Sequence, residues 1–205
     1  MTSQIIGLNR QLNWASFRVR NAPPPGADVF GNAAMTQARF QISGMNLVAV
    51  DPGRSQDLKL EDKITMTVSL DPAASWVASW LRQRSATDQA RLLRHEQGHY
   101  DLVALLARDC FEQLVTLRAK TYTSGDDLQS DVSAISQRFS SKTGPVQERY
   151  DAATDHGAQQ PEQDKWNRLI RSASDDDLDP PTPAVGTPLL KKPLLDVLAT
   201  AGIIV

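Results

Sequence analysis

Leu93-Arg94-His95-Glu96-Gln97-Gly98-His99-Tyr100-Asp101 is the stretch on which the fold reading turns. It lies in a run whose apolar residues Leu92, Leu102, Leu106, Phe111 and Leu114 recur at helical spacing. Ser85 with Asp88 three residues on resembles a capping box, so a long helix is predicted from about Ala86 to Lys120. Two histidines four apart on a helix stand one turn above each other, with Cβ atoms about 5–6 Å apart. Their imidazoles can therefore hold one tetrahedral metal ion at about 2.0–2.1 Å without straining the backbone. Glu96 is rotated about 100° round the helix from His95. Its carboxylate then falls beside the metal, where it can hold a water and accept a proton. The pattern is H-E-x-x-H, a zinc-site signature. Gly98 inside a helix costs about 1 kcal/mol relative to alanine, which a close approach by another element would explain.

The chain has three histidines in 205 residues, and two of them are in this stretch. The remaining one is His156, in Arg149-Tyr150-Asp151-Ala-Ala-Thr154-Asp155-His156-Gly157. A catalytic zinc ion takes three protein ligands and leaves one position open. His156 is the expected third ligand, with Glu148, Asp151 and Asp155 as the other candidates. Leucines at 102 and 105 exclude the short metzincin extension. Cys110 lies about 22 Å along the helix from His95, so it reads as a small packing residue. As the single cysteine it can form neither an intramolecular disulfide nor a thiolate cluster. Tyr150 is the candidate to donate a hydrogen bond to a developing oxyanion, whereas Tyr100 points away and is expected in the core. Asp101 is a candidate to bond the second nitrogen of a ligand imidazole.

Upstream, the pattern changes to strands. Lys63 to Leu70 has period two, with Ile64, Met66, Val68 and Leu70 on one side and Thr65, Thr67 and Ser69 on the other. Gln11–Val19, Ala33–Ser43 and Asn46–Val50 are further predicted strands, and Asn21-Ala-Pro-Pro-Pro-Gly26 a loop. Ser75–Arg82 has helical spacing. Downstream, one helix opens at Gly125, with a break expected at Pro145. Another has Pro161 in its first turn and carries Trp166, Leu169 and Ile170. Trp14, Trp76, Trp80 and Trp166 are expected core anchors. Strands first and helices afterwards make an α+β fold, a mostly antiparallel N-terminal sheet followed by the long helix.

From Ser172 the chain becomes acidic and proline-rich, then apolar from Pro188 to Val205. The expected organisation is a domain over 1–171, a linker over 172–187 and a tail over 188–205. The tail docks either on its own domain or on a protein partner. A balance of 22 basic against 24 acidic residues leaves a net charge of −2, which argues against a nucleic-acid binder. No segment is apolar for long enough to span a bilayer. The N-terminus has no basic start followed by an apolar run, so cytoplasmic residence is the default expectation, with export by a non-classical route as the other.

Four separated blocks give the sequence a family likeness: Leu12-Asn-Trp14-Ala-Ser-Phe17; Ser75-Trp76-Val77; the His95 stretch; and Tyr150-Asp151 with Thr154, His156-Gly157 and Gln163-x-x-Trp166-Asn167. Together they resemble a bacterial family of uncharacterised, predicted secreted zinc-dependent proteases of the zincin superfamily, from about Leu12 to Ile170. The resemblance implies His95, His99 and His156 as zinc ligands, Glu96 as general base, and a protein or peptide substrate. It departs from that family in showing no export signal, and the tail lies outside it. The competing expectation is a metal-bound, non-catalytic module that docks to a larger assembly through its tail.

Overall fold

A computed structural model describes residues 2–21, 33–53, 56–174 and 192–205. It is α+β: short strands come first, then a long helix and three more. Eight strands form three small sheets. In the first, β1 (Gln4–Ile6) pairs parallel and β4 (Ala38–Ser43) antiparallel with β7 (Thr65–Leu70). In the second, β2 (Arg18–Arg20) pairs parallel and β3 (Ala34–Met35) antiparallel with β8 (Trp76–Ala78). The third is the hairpin β5 (Leu47–Ala49) and β6 (Leu58–Leu60). Two of the three sheets are thus mixed and the third antiparallel, and antiparallel pairing predominates as expected.

The period-two reading of β7 is borne out, since Ile64, Met66, Val68 and Leu70 are buried and the residues between them half-buried. Paired on both sides, β7 cannot act as an edge strand. Gln11–Val19 is not one strand: Asn13 caps a 3-10 turn over Trp14–Ser16 before β2 begins. Ser75–Arg82 is not a helix but β8 followed by a 3-10 turn over Ser79–Gln83. All three residues of β8 are buried, so the strand has no alternation to betray it. Ala33–Ser43 divides into β3 and β4. After Asn21, the proline loop expected over 21–26 lies outside the described residues.

Helix α1 (Ala86–Thr116) is the axis of the molecule. Ser85 accepts from the Asp88 amide, as the capping pattern predicts. From Leu102 to Cys110 every residue is buried, because the first sheet covers one side of the helix and the other helices cover the rest. Cys110 packs there as a small apolar residue, its thiol pushed up to about 12 by burial and the neighbouring Asp109. Helix α2 (Gly125–Thr154) runs through Pro145 without interruption, contrary to the expected break. An internal proline costs about 3 kcal/mol. Phe139 before it, and Val146 and Tyr150 after it, are buried, which offsets that cost. Helix α3 (Gln160–Ala173) starts at Pro161 as expected and extends two residues beyond the predicted domain end. Trp76 and Trp166 are core anchors and Trp14 packs on Phe17, but Trp80 is 45% exposed.

The tail docks on its own domain through helix α4 (Leu194–Thr200), which packs on α1 and α3. Leu194 and Leu198 are fully buried. A buried ion pair on α1 clasps the tail. Arg108 bonds Asp109 and donates to the carbonyls of Ala173 and Lys192, while Asp109 Oδ2 accepts from the Leu194 amide at 2.7 Å. Residues 175–191, most of the predicted linker, lie outside the described residues.

Candidate metal centre

Two turns into α1, His95, Glu96 and His99 face α2, and all three are buried. Tyr150 lies behind the imidazoles, stacked on His95 with ring centroids 4.7 Å apart and edge-on to His99 at 4.9 Å. This contact accounts for Gly98: a Cβ there would stand 2.2 Å from the Tyr150 hydroxyl oxygen. The hydroxyl donates to the His95 carbonyl at 3.2 Å and is fully buried, which places it beneath the site rather than in the cleft. Burial raises the Tyr150 pKa well above that of a free phenol, so it stays protonated. Tyr100 is in the core as expected, its hydroxyl donating to the Gly7 carbonyl at 2.7 Å.

Two glutamines fix the state of the imidazoles. Gln163 spends its amide hydrogens on the Tyr150 hydroxyl at 2.6 Å and on Asn167 Oδ1 at 3.0 Å. Its oxygen therefore faces His95 Nδ1, 3.1 Å away, and that nitrogen must carry the proton. Gln147 donates to the His99 backbone carbonyl at 3.0 Å and turns its oxygen to His99 Nδ1, with the same consequence. Both Nε2 atoms are left with lone pairs. They face each other at 3.1 Å, and Asp151 Oδ1 meets them at 3.1 and 2.9 Å. Three acceptors converge with no donor between them, which a cation resolves.

The spacing suits a metal ion. Four ligands at about 2.0–2.1 Å in a tetrahedron are separated by about 3.3–3.4 Å, close to the distances found. His95, His99 and Asp151 are the metal-capable group among the described residues. His156 reaches this group through Asp151, its Nδ1 being 3.4 Å from Oδ1, and its side chain is 41% exposed. The local backbone that presents it is unusual. Asp155, His156 and Gly157 all have positive φ, at 47, 49 and 83°. Gly157 is required twice over, because a Cβ there would lie 2.9 Å from His95 Cβ. Thr154 closes the turn, donating to the Tyr150 carbonyl and accepting from the Gly157 amide.

Electrostatics favour positive charge at this point, whether a proton on an imidazole or a metal ion. For Asp151, burial favours the neutral acid, but hydrogen bonds and charge from His95 and His99 outweigh it and hold the carboxyl well below its usual range. Burial would lower the His99 pKa; the Asp151 bond and the charge of Glu96 overcome it and raise it. Glu96 sits 2% exposed beside the imidazoles, and its Oε2 is buried without a hydrogen-bond partner among the described residues. A buried unpaired carboxylate oxygen is costly and is explained by a ligand that it is built to meet. The site opens into a cleft of about 380 Å³, walled by Ala34 and Met35 of β3 and by Glu148, which is near but outside the cluster. Asp155 is the cap residue of α2. Asp101 accepts from Gln97 at 2.7 Å, and the imidazole-orienting role considered for it belongs to the two glutamines. Their spacing held one signal: Gln147 and Asp151 are four apart, on one helical face.

A family model described as "Bacterial protein of unknown function (DUF922)" matches residues 7–157. The chain belongs to that family. The DUF922 match takes in β2 to β8, α1, α2 and the turn that carries His156, and stops short of β1, Gln163 and the tail. No curated protein and no solved structure matches the chain.

Proposed function

We propose that this DUF922 protein is a zinc-dependent peptidase. The observation that carries the reading is the convergence of His95 Nε2, His99 Nε2 and Asp151 Oδ1, with the unpartnered Glu96 carboxylate beside them. His95, His99 and Asp151 are the proposed ligands. His156, expected from sequence as the third, stands next to Asp151 as the following donor. Nitrogen and oxygen donors suit zinc. When bound, zinc supplies Lewis acidity and lowers the pKa of a coordinated water to about 7.

The chain's own residues do the rest. Glu96 takes the proton of the attacking water and delivers it to the leaving amine. Tyr150 supports both imidazoles from below, and Gln147 and Gln163 keep their Nε2 lone pairs turned toward the ion. An extended peptide can pair with the edge of β3 that is unpaired among the described residues, the other edge being taken by β8; β3 borders the cleft. No described tail residue lines that cleft. The test is hydrolysis of a quenched-fluorescent peptide library by zinc-loaded protein and by the Glu96→Gln variant. The variant is expected to keep its zinc and lose about 10²–10⁴-fold in rate. An equal rate in the variant would remove Glu96 from the chemistry.

A further inference from the structure

A second cavity, of about 410 Å³, adjoins the metal cleft and shares Ala33, Leu92 and His156 with it. It is built from the turn after β8 and the first turns of α1. Trp80 forms one wall and is the exposed exception among the tryptophans expected in the core. The Arg84 guanidinium lies over its ring, 5.4 Å from the centroid, and Arg91 lines the same cavity. Neither guanidinium has an ion-pair partner among the described residues. Two carboxylates also line the space. Asp88 accepts from the Ser85 hydroxyl at 2.8 Å, and neither it nor Asp155 forms an ion pair with Arg84 or Arg91 among the described residues.

We propose that this cavity is a specificity subsite that takes a carboxylate of the substrate. A guanidinium placed over an indole ring keeps N–H donors for a carboxylate, and a second arginine lining the same cavity adds positive charge. The position gives the pocket its role. A peptide laid along β3 passes the metal cluster and reaches Ala33, where the second cavity begins. The carboxylate is either a glutamate or aspartate side chain near the scissile bond or the peptide's own C-terminus. The proposal rests on the peptidase reading.

The test measures binding separately from cleavage. Fluorescent peptides with Glu or Gln scanned across each position, and with a C-terminal acid or amide, are titrated into zinc-loaded Glu96→Gln protein by anisotropy. One Glu position, or the free acid, is expected to bind at least about tenfold more tightly than its neutral counterpart. Glu dependence assigns the side chain and acid-versus-amide dependence the C-terminus. Arg84→Glu/Arg91→Glu is expected to abolish that preference and to favour Lys at the same position, a gain that misfolding cannot produce. Equal binding of charged and neutral peptides overturns the pocket, as does a preference that survives the double variant. Carboxylate preference in binding with no cleavage by the wild type overturns the peptidase reading alone.

Discussion

Gln163 shows how much of the site depends on a residue with no reactive chemistry of its own. One amide bridges His95, Tyr150 and Asn167, and by spending both hydrogens elsewhere it dictates which imidazole nitrogen is free. Gln163→Leu removes the acceptor for His95 Nδ1–H at nearly constant volume. We predict zinc affinity about 10–100-fold weaker with the fold intact, measured by chelator competition. Unchanged affinity would mean that the imidazole needs no such partner. The sequence made His95, Glu96 and His99 legible because their chemistry depends on helical spacing within one element. It left the third ligand among His156, Glu148, Asp151 and Asp155, since that choice depends on how α2 lies against α1. Gln147 was unread, and Gln163 entered only through the family likeness, for the same reason: glutamine is ordinary on helices, and only the packed neighbours give these two a role.

At the level of elements, strong periodicity was legible and short buried segments were not. The β7 alternation and the Ser85 cap of α1 are local properties of the chain, and both are found where the pattern puts them. Strand β8 is three residues buried throughout, so its Trp76 and Val77 mimic a helical pair. Pro145 signals a break from local rules, but Val146 and Tyr150 are buried on the far side of it and hold α2 continuous. Tertiary packing thus overrides the local preference. Pro145→Ala is then expected to stabilise the protein by about 1–3 kcal/mol, restoring an amide for the Ser141 carbonyl. Chemical denaturation checks this. A loss of stability would show that α2 needs the proline.

The whole molecule is organised around α1, which carries His95 and His99 of the candidate metal site near its start and the Arg108–Asp109 clasp farther along. The described part of the tail closes over the clasp and does not line the cleft, so its docking reads as stabilisation. Asp109→Ala is expected to cost about 3–5 kcal/mol, because it leaves Arg108 buried and frees the Leu194 amide; thermal and denaturant unfolding measure it, and a loss below 1 kcal/mol would contradict the clasp. No helix among the described residues is long and apolar enough to cross a membrane. The central claim is that α1 and α2 together hold one metal ion, and zinc titration of metal-free protein against a competing chelator tests it most directly. The account predicts one zinc per chain, retained in Glu96→Gln and weakened about 100-fold or more in each of His95→Ala, His99→Ala and Asp151→Ala. No stoichiometric binding, or affinity indifferent to those three substitutions, would contradict it.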